Sequence, residues 1–210
     1  MTRLGLILAL LLTCTAGCTT AYRVHFNGFS ELAEPIKTEA SVYVVLDANS
    51  QNPIFDREIK AKIETLLTWH GYVPADAPAG SDYRLTFQAG VNSRSVSGLA
   101  PVYHPAGGLH AGYWRGYHFG YMSYIPFSDT LYDQWLVLKL FALPPAGTSR
   151  REQLVWVGEA ITSTSVPDLR QAVNYLLVAG FEYFGVDTKR RISLTIRADD
   201  PRIVQLTAQP

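Results

Sequence analysis

The order of helix-like and strand-like segments is the feature of this sequence that most constrains its fold. Residues 52–71 predict an amphipathic helix, because Asn52 can cap it, Pro53 suits its first position, and apolar side chains recur along one side. A second helix is predicted over residues 167–185, where an acidic start precedes a broad apolar face. Both helices are therefore expected to cover a sheet.

Segments rich in β-branched and aromatic residues predict the strands of that sheet: 41–46, 83–91, 131–143, 154–162 and 191–197. Apolar and polar side chains alternate in residues 83–91, which predicts one buried and one wetter face. Trp156 is expected to lie in the core. The predicted order is β-α-β-loop-β-β-α-β, an α+β fold with a mainly antiparallel sheet and two helices packed on one face.

The first eighteen residues predict a secretory signal peptide. Arg3 precedes the apolar run 4–12, which is too short to span a bilayer, and small residues then lead to Cys18. This ending resembles the lipobox of bacterial lipoproteins, so residues 1–17 are expected to be removed and Cys18 to be acylated. Cys14 is the alternative acylation site, and ordinary secretion without a lipid is a further alternative.

Acylation at Cys18 would attach the protein to a membrane, since two or three acyl chains hold a protein effectively permanently. Thr19 after the cysteine resembles the outer-membrane pattern of Gram-negative cells, which predicts a protein facing the periplasm. Residues 18–38 are expected to form a tether and residues 39–207 a single domain. The formal net charge is zero and the charges are scattered, so no nucleic-acid partner is expected, whereas other envelope proteins are candidate partners.

A segment of different character, residues 101–126, is rich in glycine and tyrosine and is predicted to be a long loop. Tyrosine and tryptophan combine apolar contact area with a hydrogen-bonding tip, so the loop is a candidate binding element. The alternative is an insertion that packs on its own sheet. The candidate binding residues are Tyr113, Trp114, Tyr117, Phe119 and Tyr121.

Histidines in the same segment raise the alternative of a metal site. His104, His110 and His118 are spaced by six and eight residues, which is not the i, i+4 pair of a helical metal site. The sequence contains no nucleophile elbow, phosphate-binding loop or metalloprotease motif, so neither catalytic residues nor a cofactor are predicted. His70, at the end of the first helix, is expected to interact with the helix dipole.

Several of these features occur together in a known family. The sequence resembles bacterial lipoproteins of family 4136 of the domains of unknown function (DUF4136) over residues 41–185. It departs from the family at Val157 and in the strand-like tail 189–206. The resemblance rests on Asn52-Pro53, Asp56, Ile59, Ile63, Leu67, Gly71-Tyr72, Asp82, the aromatic loop, and Leu154-Val155-Trp156 with Gly158.

The family resemblance implies an envelope-anchored α/β module without catalytic residues. The sequence thus predicts a lipid-anchored, non-catalytic protein that binds or scaffolds components of the envelope. The alternative is a periplasmic small-ligand or metal-dependent activity centred on the histidine-bearing segment 104–118.

Overall fold

The computed structural model describes residues 20–48, 50–104, 121–144 and 151–209. These residues form a seven-stranded sheet and three helices. In chain order the elements are β1 (Ala21–Ser30), β2 (Ser41–Val45), α1 (Pro53–Trp69), β3 (Val73–Ala75), β4 (Tyr83–His104), β5 (Tyr121–Ala142), β6 (Gln153–Thr164), α2 (Leu169–Glu182), β7 (Ile192–Arg197) and α3 (Pro201–Thr207).

The sheet has the strand order β3-β2-β4-β5-β6-β1-β7. β2 runs parallel to β3 and to β4, whereas the other neighbouring strands are antiparallel. The predicted α+β class is confirmed, but the sheet is mixed rather than purely antiparallel. The reason is that α1 carries the chain back between β2 and β3, so both strands start from the same end of the sheet.

β1 lies in the sheet between β6 and β7, although residues 18–38 were expected to form a tether. Its side chains alternate, with Val24, Phe26 and Gly28 buried and their neighbours partly or fully exposed. Tyr22, on the same face, is partly buried and stacks on Tyr175 with 4.1 Å between ring centroids. Apolar and polar side chains thus alternate over residues 22–27, a strand signal that the expectation of a tether missed.

The helix boundaries follow the capping signals in the sequence. Asn52 accepts a hydrogen bond from the backbone N–H of Phe55 at 3.2 Å, and Gly71 ends the helix with a φ of 82°. Asp168 caps α2 in the same way by accepting from the N–H of Gln171 at 3.2 Å. The third helix, α3, corrects the expectation of a strand-like tail, because Asp200 caps a helix that begins at Pro201.

α1 and α2 pack against each other and over one face of the sheet. Trp156 lies in this core with 1% of its surface exposed, as the sequence predicts. Its indole Nε1 donates a hydrogen bond to the carbonyl oxygen of Val186 at 3.1 Å. Burial of its polar atom is thereby compensated, and the ring stays in contact with Phe184 at 5.0 Å between centroids.

β4 and β5 extend well beyond the rest of the sheet. β2 pairs with β4 only as far as Thr86, and β6 pairs with β5 only as far as Tyr132. Beyond these points Arg94–His104 and Tyr121–Leu131 pair only with each other, and we call this two-stranded segment the ribbon. With a rise of ~3.3 Å per residue, the ribbon projects about 35 Å.

The ribbon corrects the expectation of a loop over residues 101–126. Residues 101–104 and 121–126 are paired strand, with His104 opposite Tyr121. The remainder of that segment lies outside the described residues.

Candidate binding surface on the ribbon

The ribbon changes character along its length. The part next to the sheet, which we call the stem, consists of residues 94–97 paired with residues 128–131. Hydroxyl and charged side chains predominate there, and Arg94 Nε donates to Asp133 Oδ2 at 2.9 Å at its base. The remaining, outer part, which we call the tip, consists of residues 98–104 paired with residues 121–127. These residues include no Asp, Glu, Lys or Arg.

Large apolar side chains of the tip are exposed to solvent. Their exposed fractions are far above those of core residues: Leu99 64%, Tyr103 58%, Met122 57%, Tyr124 63%, Ile125 50% and Phe127 45%. Each apolar Å² left in water forgoes about 25 cal/mol of transfer free energy, so this grouping favours contact with another apolar surface.

Both faces of the tip carry apolar side chains. Directly paired residues of antiparallel strands share a face, and successive residues alternate between faces. Leu99, Pro101 and Tyr103 therefore share one face with their partners Pro126, Tyr124 and Met122. The opposite face carries Ala100 and Val102 with Ile125, and Phe127 lies over Gly98, where a Cβ would come within 2.9 Å of the ring.

Two prolines mark the outer edges of the tip. A proline has no N–H to donate, so it is tolerated in a paired strand where its nitrogen faces the unpaired edge. Pro101 lies on the outer edge of β4 and Pro126 on the outer edge of β5. Each removes a donor that an added strand would need, and prolines on edge strands disfavour pairing with another chain.

The start of β1 lies at the end of the sheet from which the ribbon projects. His25 is opposite Ile161, and Ile161 is opposite Trp135, so the three residues form one row across the sheet. β1 runs in the same direction as β5 across this row. Ala21, four residues before His25, is therefore level with Leu131 at the base of the ribbon.

Most of the site residues expected from the sequence lie outside the described residues. These are Cys18, Tyr113, Trp114, Tyr117 and Phe119. Tyr121 is placed, in the backbone of β5 opposite His104. The exposed tip residues were not predicted, because residues 101–126 were assigned to a loop and the candidate binding residues were all taken from 113–121.

Of the three histidines considered as metal ligands, only His104 lies within the described residues. His104 lies in β4, and its Nε2 is 2.7 Å from the hydroxyl of Ser123 across the ribbon. His110 and His118 lie outside the described residues. Within the described ranges, no group of three or more His, Cys, Asp or Glu side chains is arranged to hold a metal ion.

His70 caps α1 through its backbone N–H, which reaches Leu66 and Leu67. Its ring packs against Phe181 with 5.7 Å between centroids. Partial burial of the ring lowers the pKa of His70; the charge of Glu182 opposes this shift and that of Arg202 adds to it. Burial thus favours the neutral ring, the direction opposite to that expected from a helix C-terminus.

An open cleft of about 1090 Å³ lies where α1, α2 and α3 meet. Lys62 is buried there, and its Nζ is 2.7 Å from Glu58 Oε1, while Arg170 approaches the other oxygen of Glu58 at 3.4 Å. Asn174 Nδ2 donates to the Thr207 hydroxyl at 3.2 Å and so joins α2 to α3. These polar groups link the helices to one another, so the cleft is a weaker candidate than the tip.

The fold and the surface together define a class: a mixed α+β module that carries a long ribbon with an apolar tip. No helix in the described ranges is long and apolar enough to cross a membrane. No protein-family model matches the chain, and no curated protein matches it.

Solved structures resemble parts of this fold. A PDZ domain protein from Parabacteroides distasonis has a TM-score of 0.44 at 14% identity over 90% of this chain, which spans only 42% of that protein. The PelC dodecamer from Paraburkholderia phytofirmans has a TM-score of 0.40 at 12% identity, covering 74% of this chain and 93% of that one. A DUF4136 family protein from Bacteroides thetaiotaomicron has a TM-score of 0.37 at 13% identity, covering 75% and 91%.

The third of these proteins belongs to the family that the sequence resembles. At such identities a likeness concerns the fold alone.

Proposed function

We propose that this protein is a lipid-anchored module of the bacterial cell envelope that binds or scaffolds other envelope components without catalysis. Acylation of Cys18 would place it on the outer membrane facing the periplasm, and the ribbon would be its contact element. The observation that carries the proposal is the apolar tip, which is exposed on both faces and reaches about 35 Å from the sheet at its far end.

The position of β1 supports the combination of anchor and ribbon. Cys18 precedes Ala21 by three residues, which span at most about 10 Å of extended chain. Because Ala21 is level with the base of the ribbon, an acylated Cys18 would lie near that end of the sheet. The lipid anchor and the ribbon would then lie on the same side of the molecule.

The anchor is tested by the intact mass and detergent partitioning of the full chain expressed in a Gram-negative host. Wild type is expected to carry acyl mass and to enter the detergent phase, and Cys18→Ser is expected to do neither. Cys14→Ser is the matched control and should behave like wild type. Loss of acyl mass in Cys14→Ser alone would move the site to Cys14, and a wild type without acyl mass would refute the anchor.

The contact function is tested in intact cells with a photoreactive cross-linker that captures lipid as well as protein. Tip substitutions to serine are expected to remove cross-linked products that wild type forms, while the amount of folded protein stays the same. An unchanged set of products would refute the ribbon as the contact element.

A further inference from the structure

We propose that the tip of the ribbon binds the interfacial region of a phospholipid bilayer. This inference deepens the proposed function. It rests on that function for the identity of the membrane that the tip contacts in the cell. The partner is thus a lipid surface rather than a second protein.

The distribution of apolar side chains over both faces favours lipid. A protein partner covers the face on which it docks and leaves the opposite face in water. Here Leu99 and Tyr124 are exposed on one face and Ile125 and Phe127 on the other. A bilayer surrounds an inserted element and can remove both faces from water at once.

The chemistry of the tip suits the boundary between headgroups and acyl chains. Tyr103 and Tyr124 have apolar rings and a hydroxyl that can bond to water or to a lipid headgroup, and tyrosine is enriched at membrane interfaces. The tip carries no Asp, Glu, Lys or Arg that would have to be desolvated. The charged side chains Arg94 and Asp129 are confined to the stem, on the side of the sheet.

The backbone edges limit how deeply the tip can enter. Outside its own pairing, a two-stranded ribbon leaves N–H and C=O groups at both edges, and such groups are not tolerated in the hydrocarbon core. Pro101 and Pro126 each remove one such donor. Shallow insertion keeps the remaining edge groups within reach of water and headgroups, and the same prolines disfavour edge pairing with a second copy.

The test uses the chain that begins at Thr19, which contains every element of the fold but neither the apolar run 4–12 nor Cys18. Vesicles of phosphatidylethanolamine and phosphatidylglycerol are floated through a density gradient with this unacylated chain. We expect wild type to float at about 0.1 M NaCl and to keep most of that flotation at about 1 M NaCl, because the tip has no Asp, Glu, Lys or Arg and residues 105–120, which join its strands, have only Arg115.

A tip variant and a control variant carry the same number of serine substitutions. The tip variant combines Leu99→Ser, Tyr103→Ser and Tyr124→Ser, and the control combines Ile54→Ser, Val186→Ser and Val204→Ser at positions of similar exposure. The vesicle partition coefficient of the tip variant should fall about ten-fold or more, whereas that of the control should match wild type. Circular dichroism melting verifies that all three chains are folded.

Several outcomes would overturn the proposal. These are a wild type that does not float, a tip variant that floats like wild type, or flotation that disappears at high salt. Sedimentation of the same chains tests one more outcome. If wild type does not float but self-associates, and the tip variant does not self-associate, the tip binds a second copy of the chain. Because these chains lack Cys18, each result is independent of the acylation test, and failure of either leaves the other standing.

Discussion

At the scale of single residues, Trp156 illustrates what the sequence can and cannot predict. Its place in a predicted strand rich in apolar residues favoured burial, and burial is confirmed at 1% exposure. Its partner within the strand could not be predicted: a Cβ on Gly158 would lie 2.7 Å from Cζ2 of the indole. The glycine is needed for close approach of a ring, which depends on the rotamer of Trp156 in the folded core.

Replacing this indole should therefore cost much of the stability of the domain. We expect Trp156→Ala to lower the free energy of unfolding by about 3 to 5 kcal/mol, because it opens a cavity and leaves the Val186 carbonyl without its donor. Trp69→Ala, at a tryptophan that is 41% exposed, is the control and should cost under about 1 kcal/mol. Chemical denaturation of both variants checks this, and equal losses would show that Trp156 does not fill the core.

His70 gives a prediction about pH. Partial burial lowers its pKa in the folded state below the ordinary value of 6.5, so the unfolded chain binds more protons near pH 6. The stability that depends on neutral His70 is fully present above pH 6.5 and is lost as the pH falls through the lower, folded-state pKa. An NMR titration should give a pKa below 6.5, and His70→Gln should reduce the acid-induced loss of stability. A value above 6.5 would restore the helix-dipole interpretation.

At the scale of elements, local signals predicted α1, α2 and parts of five strands, but they missed β1, β3, α3 and the ribbon. The capping residues and apolar stripes predicted α1 and α2 because both helices bury one face. The stem of the ribbon has Ser95 and Ser97 in β4 and Ser128 and Thr130 in β5, so it lacks the apolar alternation that identifies a strand. Its pairing depends on the partner strand rather than on burial, so residues 94–97 and 128–130 were not predicted as strand.

The ribbon should be dispensable for the fold. Replacing residues 98–127 by Asn-Gly, which suits a tight hairpin turn, should shift the Tm by less than about 4 °C, since none of the described residues 98–104 and 122–127 belongs to the buried core. Thermal unfolding followed by circular dichroism measures this. Loss of a cooperative transition would mean that the ribbon stabilises the sheet and is not an independent contact element.

For α3 we expect a large loss of stability instead, because this helix is short but packs into the core. Leu206 is fully buried and Val204 is 55% exposed on the same helix. Leu206→Ala should therefore lower the free energy of unfolding by about 2 to 5 kcal/mol, and Val204→Ala by no more than about 0.5 kcal/mol. Denaturation curves of the pair decide the matter, and similar curves would show that the helix is only loosely attached.

At the scale of the whole molecule, the arrangement of the strands gives the protein two unlike ends. The ribbon and the start of β1 lie at one end, while the turn before β4 lies at the other. No local pattern could predict this polarity, because it depends on β1 lying beside β6, far away in the sequence. The polarity predicts that the ribbon end approaches the membrane and the other end lies farther from it. Because Cys18 can reach only about 10 Å from Ala21, the ribbon would lie at a low angle to the bilayer, in agreement with shallow insertion of the tip.

Cysteine labelling in isolated outer membranes tests that orientation. The only cysteines of the chain are Cys14 and Cys18, so after removal of residues 1–17 and acylation of Cys18, an introduced cysteine would be the only reactive thiol. Tyr103→Cys places it in the tip and Ala79→Cys at the opposite end, both at exposed positions. We expect a water-soluble maleimide to label the tip thiol several-fold more slowly, because lipid excludes the reagent. Detergent should abolish the difference, and equal rates in intact membranes would show that the tip remains in water.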